Sequence, residues 1–265
     1  MLKKSSRFFG VVLLLVAMLA VACGGKSTPA GGGDGSLDRV KKAGKLMVAV
    51  DTTYPPMEYV EGDKTVGYDV DLANELGKKL GVKVEFVTVD WNGIITGLVS
   101  KRYDVIMSSM NITEERLKEV NFVEYARMSQ VFVAKKGVSI KSEADLSGKT
   151  VLVQDGTTSH DYAKTVKSVK EIISYGGATE AFQALKNGKG DVIIIDEPVG
   201  LYYAAKDAAT FAITGRAMEP EPVGIAIRKE DKDLAAALEK ALSDTKADGS
   251  YKKIAEKWFG GELGK

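Results

Sequence analysis

His160 is the chain's only histidine, and it follows Ser159 directly, so a hydroxyl and an imidazole adjoin there. Adjacent side chains on a helix do not face each other, so this pair does not make a nucleophile and its base. His160 reads instead as a surface or helix-start residue. Asp51 and Asp196 are acids better suited to binding a cation than to shuttling a proton. One cysteine and one histidine leave no intramolecular disulfide and no Cys/His zinc cluster. The chemistry on offer is binding, and neither a metal nor a cofactor is expected.

Short β-branched runs at 46–50, 82–89, 104–108, 150–153, 171–174 and 191–195 alternate with helical patterns. Val70, Ala73, Leu76 and Leu80 share one helical face that ends at Gly81, and Ile94, Ile95, Leu98 and Val99 make a second. Further helices are expected at 159–169, 178–186, 232–246 and 251–259. The alternation predicts an α/β fold with mostly parallel sheets. Leu98-x5-Asp104-Val105-Ile106 recurs 87 residues later as Leu185-x5-Asp191-Val192-Ile193, as two similar lobes would give. The same offset maps Ser109 onto Asp196, each just beyond a strand, and open α/β sheets bind ligands outside the carboxyl ends of their strands. Extended runs at 130–135 and 223–228, the latter after Pro220 and Pro222, are placed to join the lobes. Lobe one is then 36–130 plus 223–265, and lobe two 131–222, with a ligand cleft between them.

Composition bounds the rest. Of 265 residues, 45% are hydrophobic and 28% charged, which excludes whole-chain disorder, and a net charge of +1 argues against a nucleic-acid protein. Lys3, Lys4 and Arg7 precede fifteen uncharged residues ending at Ala22, the pattern of an export signal over 1–22 and too short to span a bilayer. Beyond it remain 34 basic and 36 acidic side chains, a net charge of −2. Residues 23–35 begin with Cys23-Gly-Gly and run Gly/Ser/Pro-rich, as a flexible tether would.

Three separated motifs carry a family resemblance: Asp51-Thr-Thr-Tyr54-Pro-Pro-Met-Glu58, Gly67-Tyr-Asp-Val-Asp-Leu-Ala73 and Ser108-Ser-Met-Asn-Ile-Thr113-Glu-Glu-Arg116. With Asp155-Gly-Thr-Thr-Ser159, Ile195-Asp196-Glu197 and Asp248-Gly-Ser-Tyr251, they resemble the polar amino-acid family of bacterial periplasmic solute-binding proteins over nearly all of 37–260. The resemblance implies two Rossmann-like lobes joined by a two-strand hinge, the type II periplasmic-binding-protein fold. It also implies an amino-acid-binding component of an ABC importer, a monomer that captures a free L-amino acid and meets the importer's membrane subunits. Ala20-Val21-Ala22-Cys23 resembles a lipobox, with Leu19 one place further from the cysteine than the family prefers. Lipidation of Cys23 would anchor the exported protein at the periplasmic or cell-surface side of a membrane.

The resemblance also assigns roles. Arg116 would hold the ligand's α-carboxylate in a bidentate grip; without the family it reads as a solvated arginine on a Glu-rich turn. Ser109 and Asn111 would add donors, and Thr158 and Ser159 would present a helix start to the same anion. Asp196 would accept the α-ammonium. Tyr54 and Trp91 would flank the ligand side chain, with core packing as the other reading of Trp91. Asp51 would reach the far end of that side chain, and Gln154 stands where some glutamine binders have lysine. Two aromatic faces and an acid suit a cationic ligand, arginine, lysine or histidine. Two other readings share the fold: a cyclohexadienyl dehydratase, for which Glu197 is the nearest extra acid, and a ligand-sensing receptor module.

Overall fold

Valine and isoleucine runs buried on both faces build the centre of the computed structural model, which describes residues 33–261. The export signal at 1–22, Cys23 and nearly all of the tether lie outside the described residues. Helix α1 (Ser36–Ala43) leads into β1 (Lys45–Val50). A small three-stranded sheet follows, β2 (Thr53–Tyr54), β3 (Glu58–Glu61) and β4 (Lys64–Val66). Next come α2 (Tyr68–Leu80), β5 (Lys83–Thr88), α3 (Ile94–Val99), β6 (Val105–Ile106) and α4 (Glu114–Glu119). The long β7 (Val120–Lys135) carries the chain to β8 (Thr150–Gln154), α5 (Thr158–Thr165), β9 (Glu171–Tyr175), α6 (Ala178–Lys186), β10 (Val192–Asp196) and α7 (Glu197–Lys206). The longer β11 (Phe211–Arg228) returns it to α8 (Lys232–Ala247) and α9 (Ser250–Phe259).

All the strands outside the small sheet form one eight-stranded sheet in the order β5-β1-β6-β11-β7-β10-β8-β9. The outer triplets β5-β1-β6 and β10-β8-β9 are parallel, as the alternation predicts. The sheet as a whole is mixed, because β7 and β11 run antiparallel to each other and to their neighbours. These two strands are far longer than the runs 130–135 and 223–228. Beside β6, Ala226 and Ile227 of β11 pair with Ile106 and Val105; beside β10, Gln130 to Ala134 of β7 pair with Asp196 to Val192. The pair thus passes from one triplet to the other along a stretch with four register shifts, between Ile213 and Gly224. Proline and half-exposed polar residues break the apolar run there, which is why the pattern shows only the buried ends of each strand.

Capping sets the ends that matter. Gly81 ends α2 at φ 73°, the left-handed conformation open to glycine, with its N–H returned to Gly77 O and Lys78 O. Thr113 and Thr157 cap α4 and α5 by accepting the backbone N–H of Arg116 and His160, both at 3.2 Å. Helix α5 stops at Thr165, short of the expected 169. Helix α7 begins straight after Asp196 with Pro198 in its first turn, so Asp196 is held at a strand-to-helix corner. Among the described residues no helix is long and apolar enough to cross a membrane.

Candidate functional site

The carboxyl ends of β1, β6, β8 and β10 converge on one small, tightly closed cavity. Asp51 follows β1, Ser108, Ser109 and Asn111 follow β6, and Gln154 ends β8. Thr158 and Ser159 open α5, and Asp196 ends β10. Tyr54 comes from the small sheet and Trp91 from the turn before α3. Nine of the ten side chains expected at a site therefore line one space, and Arg116 alone does not.

Hydrogen bonds tie the two sides of the cavity together. The Tyr54 hydroxyl donates to Asp196 Oδ2 at 2.8 Å, and Gln154 Nε2 donates to Asp51 Oδ2 at 2.6 Å. The Thr158 hydroxyl donates to Asn111 Oδ1 at 3.0 Å, and Trp91 Nε1 donates to the Gly156 carbonyl at 3.1 Å. Asp51 also accepts the Thr53 N–H at 3.0 Å, so its carboxylate meets neutral donors inside the protein.

The arginine is drawn into the same closure. Its Nη1 donates to Asn111 O at 2.8 Å and its Nη2 to Gly156 O at 3.2 Å, with the guanidinium carbon 5.3 Å from the Trp91 ring centre. Arg116 thus spans the two sides next to the lining residues Asn111 and Thr157. Trp91 borders the cavity and also packs on the cluster of Ile94, Leu98 and Met110.

Three buried polar atoms of lining residues have no partner, Asp196 Oδ1, Asn111 Nδ2 and Glu58 Oε2. Asp196 is 3% exposed, and burial is the main cause raising its pKa to about 7. The Tyr54 hydroxyl opposes that rise, whereas the charge of Glu221 adds to it. Burial likewise raises the pKa of Asp51, against the donors Thr53 and Gln154. Orphaned carboxylate oxygens in a closed space are strong acceptors, and a cationic donor relieves both their unmade hydrogen bond and their desolvation.

Four lining residues were not singled out as site residues from the sequence: Glu58, Ser108, Gln130 and Thr157. Three sit inside motifs quoted above, and Gln130 opens an expected crossing run; nothing in their spacing shows which way they point. Gln130 Nε2 donates to Thr158 Oγ1 at 2.6 Å, and its Oε1 accepts the Ser159 hydroxyl at 2.8 Å. The lining holds the acids Asp51, Glu58 and Asp196 and no lysine, arginine or histidine. His160 lies at the start of α5 with Nδ1 3.0 Å from Asp155, outside the lining. Glu197 is also outside it, accepting the Ser129 hydroxyl at 2.5 Å. Among the described residues no cluster of three or more potential ligands could hold a metal ion.

A sequence profile described as "Bacterial extracellular solute-binding proteins, family 3" matches residues 46–261. The chain is 33% identical to the L-cystine-binding protein TcyJ of Escherichia coli (strain K12) over 256 residues, covering 95% of this chain and 96% of that one. It is 36% identical to the arginine-binding extracellular protein ArtP of Bacillus subtilis (strain 168), covering 95% and 98%. Solved structures of an ancestral arginine-binding protein, bound to arginine and bound to glutamine, match with a TM-score of 0.78 and 44% identity, covering 82% of this chain and 98% of theirs.

Proposed function

The chain belongs to the bacterial extracellular solute-binding proteins, family 3, and from that membership we propose that it captures a cationic amino acid for an ABC importer. Lobe one (36–130 and 223–265) and lobe two (131–222) close on the ligand about β7 and β11. Export by the signal at 1–22 and a lipid on Cys23 hold the monomer at a membrane surface, where the importer's membrane subunits meet it.

Asp196 carries this reading. Its unpartnered Oδ1 takes the α-ammonium, and the Tyr54 hydroxyl on Oδ2 fixes the carboxylate's plane. The α-carboxylate lies toward the start of α5, where Thr158 and Ser159 offer N–H and hydroxyl donors and the helix dipole favours an anion. Ser109, Asn111 and one edge of the Arg116 fork complete that half. The cationic side chain points to Asp51, between the rings of Tyr54 and Trp91, and Gln154 orients the Asp51 carboxylate. Asp51 and Asp196 in a lining with no lysine, arginine or histidine support a cationic ligand over a neutral or acidic one. Ligand drives closure to the extent that it binds the closed arrangement better.

The raised pKa of Asp196 gives a test with a definite sign. The empty site holds a proton on Asp196 below about pH 7, and an ammonium partner needs it gone. Arginine affinity is therefore expected to be flat above pH 7 and to fall below it by up to about tenfold per pH unit. For the empty protein the sign reverses: a raised carboxyl pKa contributes stability that is lost as pH rises through about 7. Calorimetric titration with arginine from pH 5 to pH 8 reads the first effect. Equal affinity across that range would remove Asp196 from the ammonium site.

A further inference from the structure

At the cavity floor Glu58, a lining residue, and Asp69, behind it, are two acids to which the proposed ligand contacts give no direct role. Glu58 opens β3 and Asp69 stands in the first turn of α2, and both are 0% exposed. The backbone brings them together: Tyr68 N–H donates to Pro56 O and Asp69 N–H to Met57 O, both at 3.0 Å. Gly67 permits this approach, since at φ 141° a Cβ there would stand 2.0 Å from Met57 O.

The donors around the pair are unequal. Asp69 accepts the Ser109 N–H at 2.8 Å, the Ser109 hydroxyl at 3.2 Å and the Tyr125 hydroxyl at 2.8 Å. Ser108 and Ser109, adjacent in the chain, bond Glu58 and Asp69 respectively, so the two carboxyls lie close, and the Asp69 charge adds to burial in raising the Glu58 pKa. Glu58 Oε1 accepts the Ser108 hydroxyl at 2.7 Å, and that oxygen in turn accepts the Asp51 N–H at 2.9 Å. Glu58 Oε2 is buried with no donor facing it. Two ionised carboxylates this near each other, with no lysine, arginine or histidine paired to either among the described residues, repel strongly in a dry interior. A proton on Oε2 removes the repulsion and supplies the missing donor at once.

We infer that Glu58 and Asp69 share one proton, carried on Glu58 Oε2 and donated to Asp69, and that this pair is a positioning device for the loop 108–111 at the cavity floor. Ser109 sits at φ 51°, a left-handed conformation unfavourable for a residue with a Cβ. Asp69 holds it there by accepting both its N–H and its hydroxyl. Burial pushes Glu58 well above the usual carboxyl range and Asp69 up to about 6. The titratable groups facing the pair are Asp51 just after β1, Tyr54 of β2, Tyr68 of α2 and Tyr125 of β7, acids that offer no compensating positive charge. Asp51 and Asp196 are then the anionic groups left to the cavity, a consequence that rests on the ligand reading above, whereas the proton and the loop do not.

The test uses the ligand-free full chain, so it fails or succeeds independently of that reading. With carboxyl-labelled glutamate, the carbon NMR spectrum at pH 8 should contain one side chain at the protonated-acid position, and Glu58→Gln should remove it. That variant should keep the Ser109 amide protected from hydrogen exchange, because its Nε2–H replaces the carboxyl donor. Asp69→Asn should speed that exchange at least about tenfold. A wild-type spectrum with every glutamate ionised at pH 8 overturns the shared proton. Unchanged exchange in Asp69→Asn, or lost protection in Glu58→Gln, overturns the positioning role. If Asp69→Asn fails to fold, adding Ser109→Gly, which takes a positive φ freely, should restore folding, and failure to restore it counts against the loop as what Asp69 holds.

Discussion

Asp196→Asn is expected to weaken binding of a basic amino acid by at least about a hundredfold, roughly 3 kcal/mol or more. The substitution keeps the shape of the side chain and an acceptor for the Tyr54 hydroxyl, but it removes the charge proposed to meet the α-ammonium. In a closed cavity at the ends of β1, β6, β8 and β10 little solvent remains to replace that partner, so the ligand's own charge is left uncompensated. The loss should also flatten the pH profile below 7, because the group raised to about 7 is gone. Titration of the variant at pH 6 and pH 8 checks both parts. Wild-type affinity in Asp196→Asn would show that the ammonium lies elsewhere.

Arg116→Ala is expected to cost a comparable amount, at least about 2 kcal/mol, for two reasons that add. The guanidinium would grip the α-carboxylate, and it also joins Asn111 O to Gly156 O across the cavity mouth. Removing it weakens both the ligand contact and the closed arrangement. Lysine should not rescue the variant, since a point ammonium cannot make two parallel bonds or stack 5.3 Å from the Trp91 ring. Unchanged affinity for every amino acid in Arg116→Ala would end its assignment to the site.

The fold was legible where burial repeats a pattern. The parallel triplets appear in the sequence as valine and isoleucine runs, because a strand covered on both faces has no polar alternation to interrupt it. The bridging pair was legible only at its ends. Residues such as Glu124, Arg127, Arg216 and Glu219 lie on strands, yet they are partly solvated and look like loop. The cavity was legible to the extent that position decides it: a residue at or just past the carboxyl end of a β-strand in this fold faces the cavity, which picks out Ser109 and Asp196. Glu58 was not legible as a lining residue, since it sits in a two-residue-turn hairpin whose packing depends on Gly67 and α2. Nor could sequence show that Arg116 stands at the mouth with its fork on two backbone carbonyls, because that contact joins residues forty positions apart.

The central claim is tested most directly by calorimetry on the purified chain, unfolded and refolded to strip any carried-over ligand, then titrated with each of the twenty amino acids. Arginine, lysine or histidine is expected to bind at micromolar Kd or tighter, about −8 kcal/mol or better, while aspartate and glutamate give no heat of binding. Binding confined to neutral or acidic amino acids would contradict the role given to Asp51 and the acidic lining. Silence across all twenty would contradict amino-acid capture itself, and turnover of prephenate or arogenate would then be the next assay.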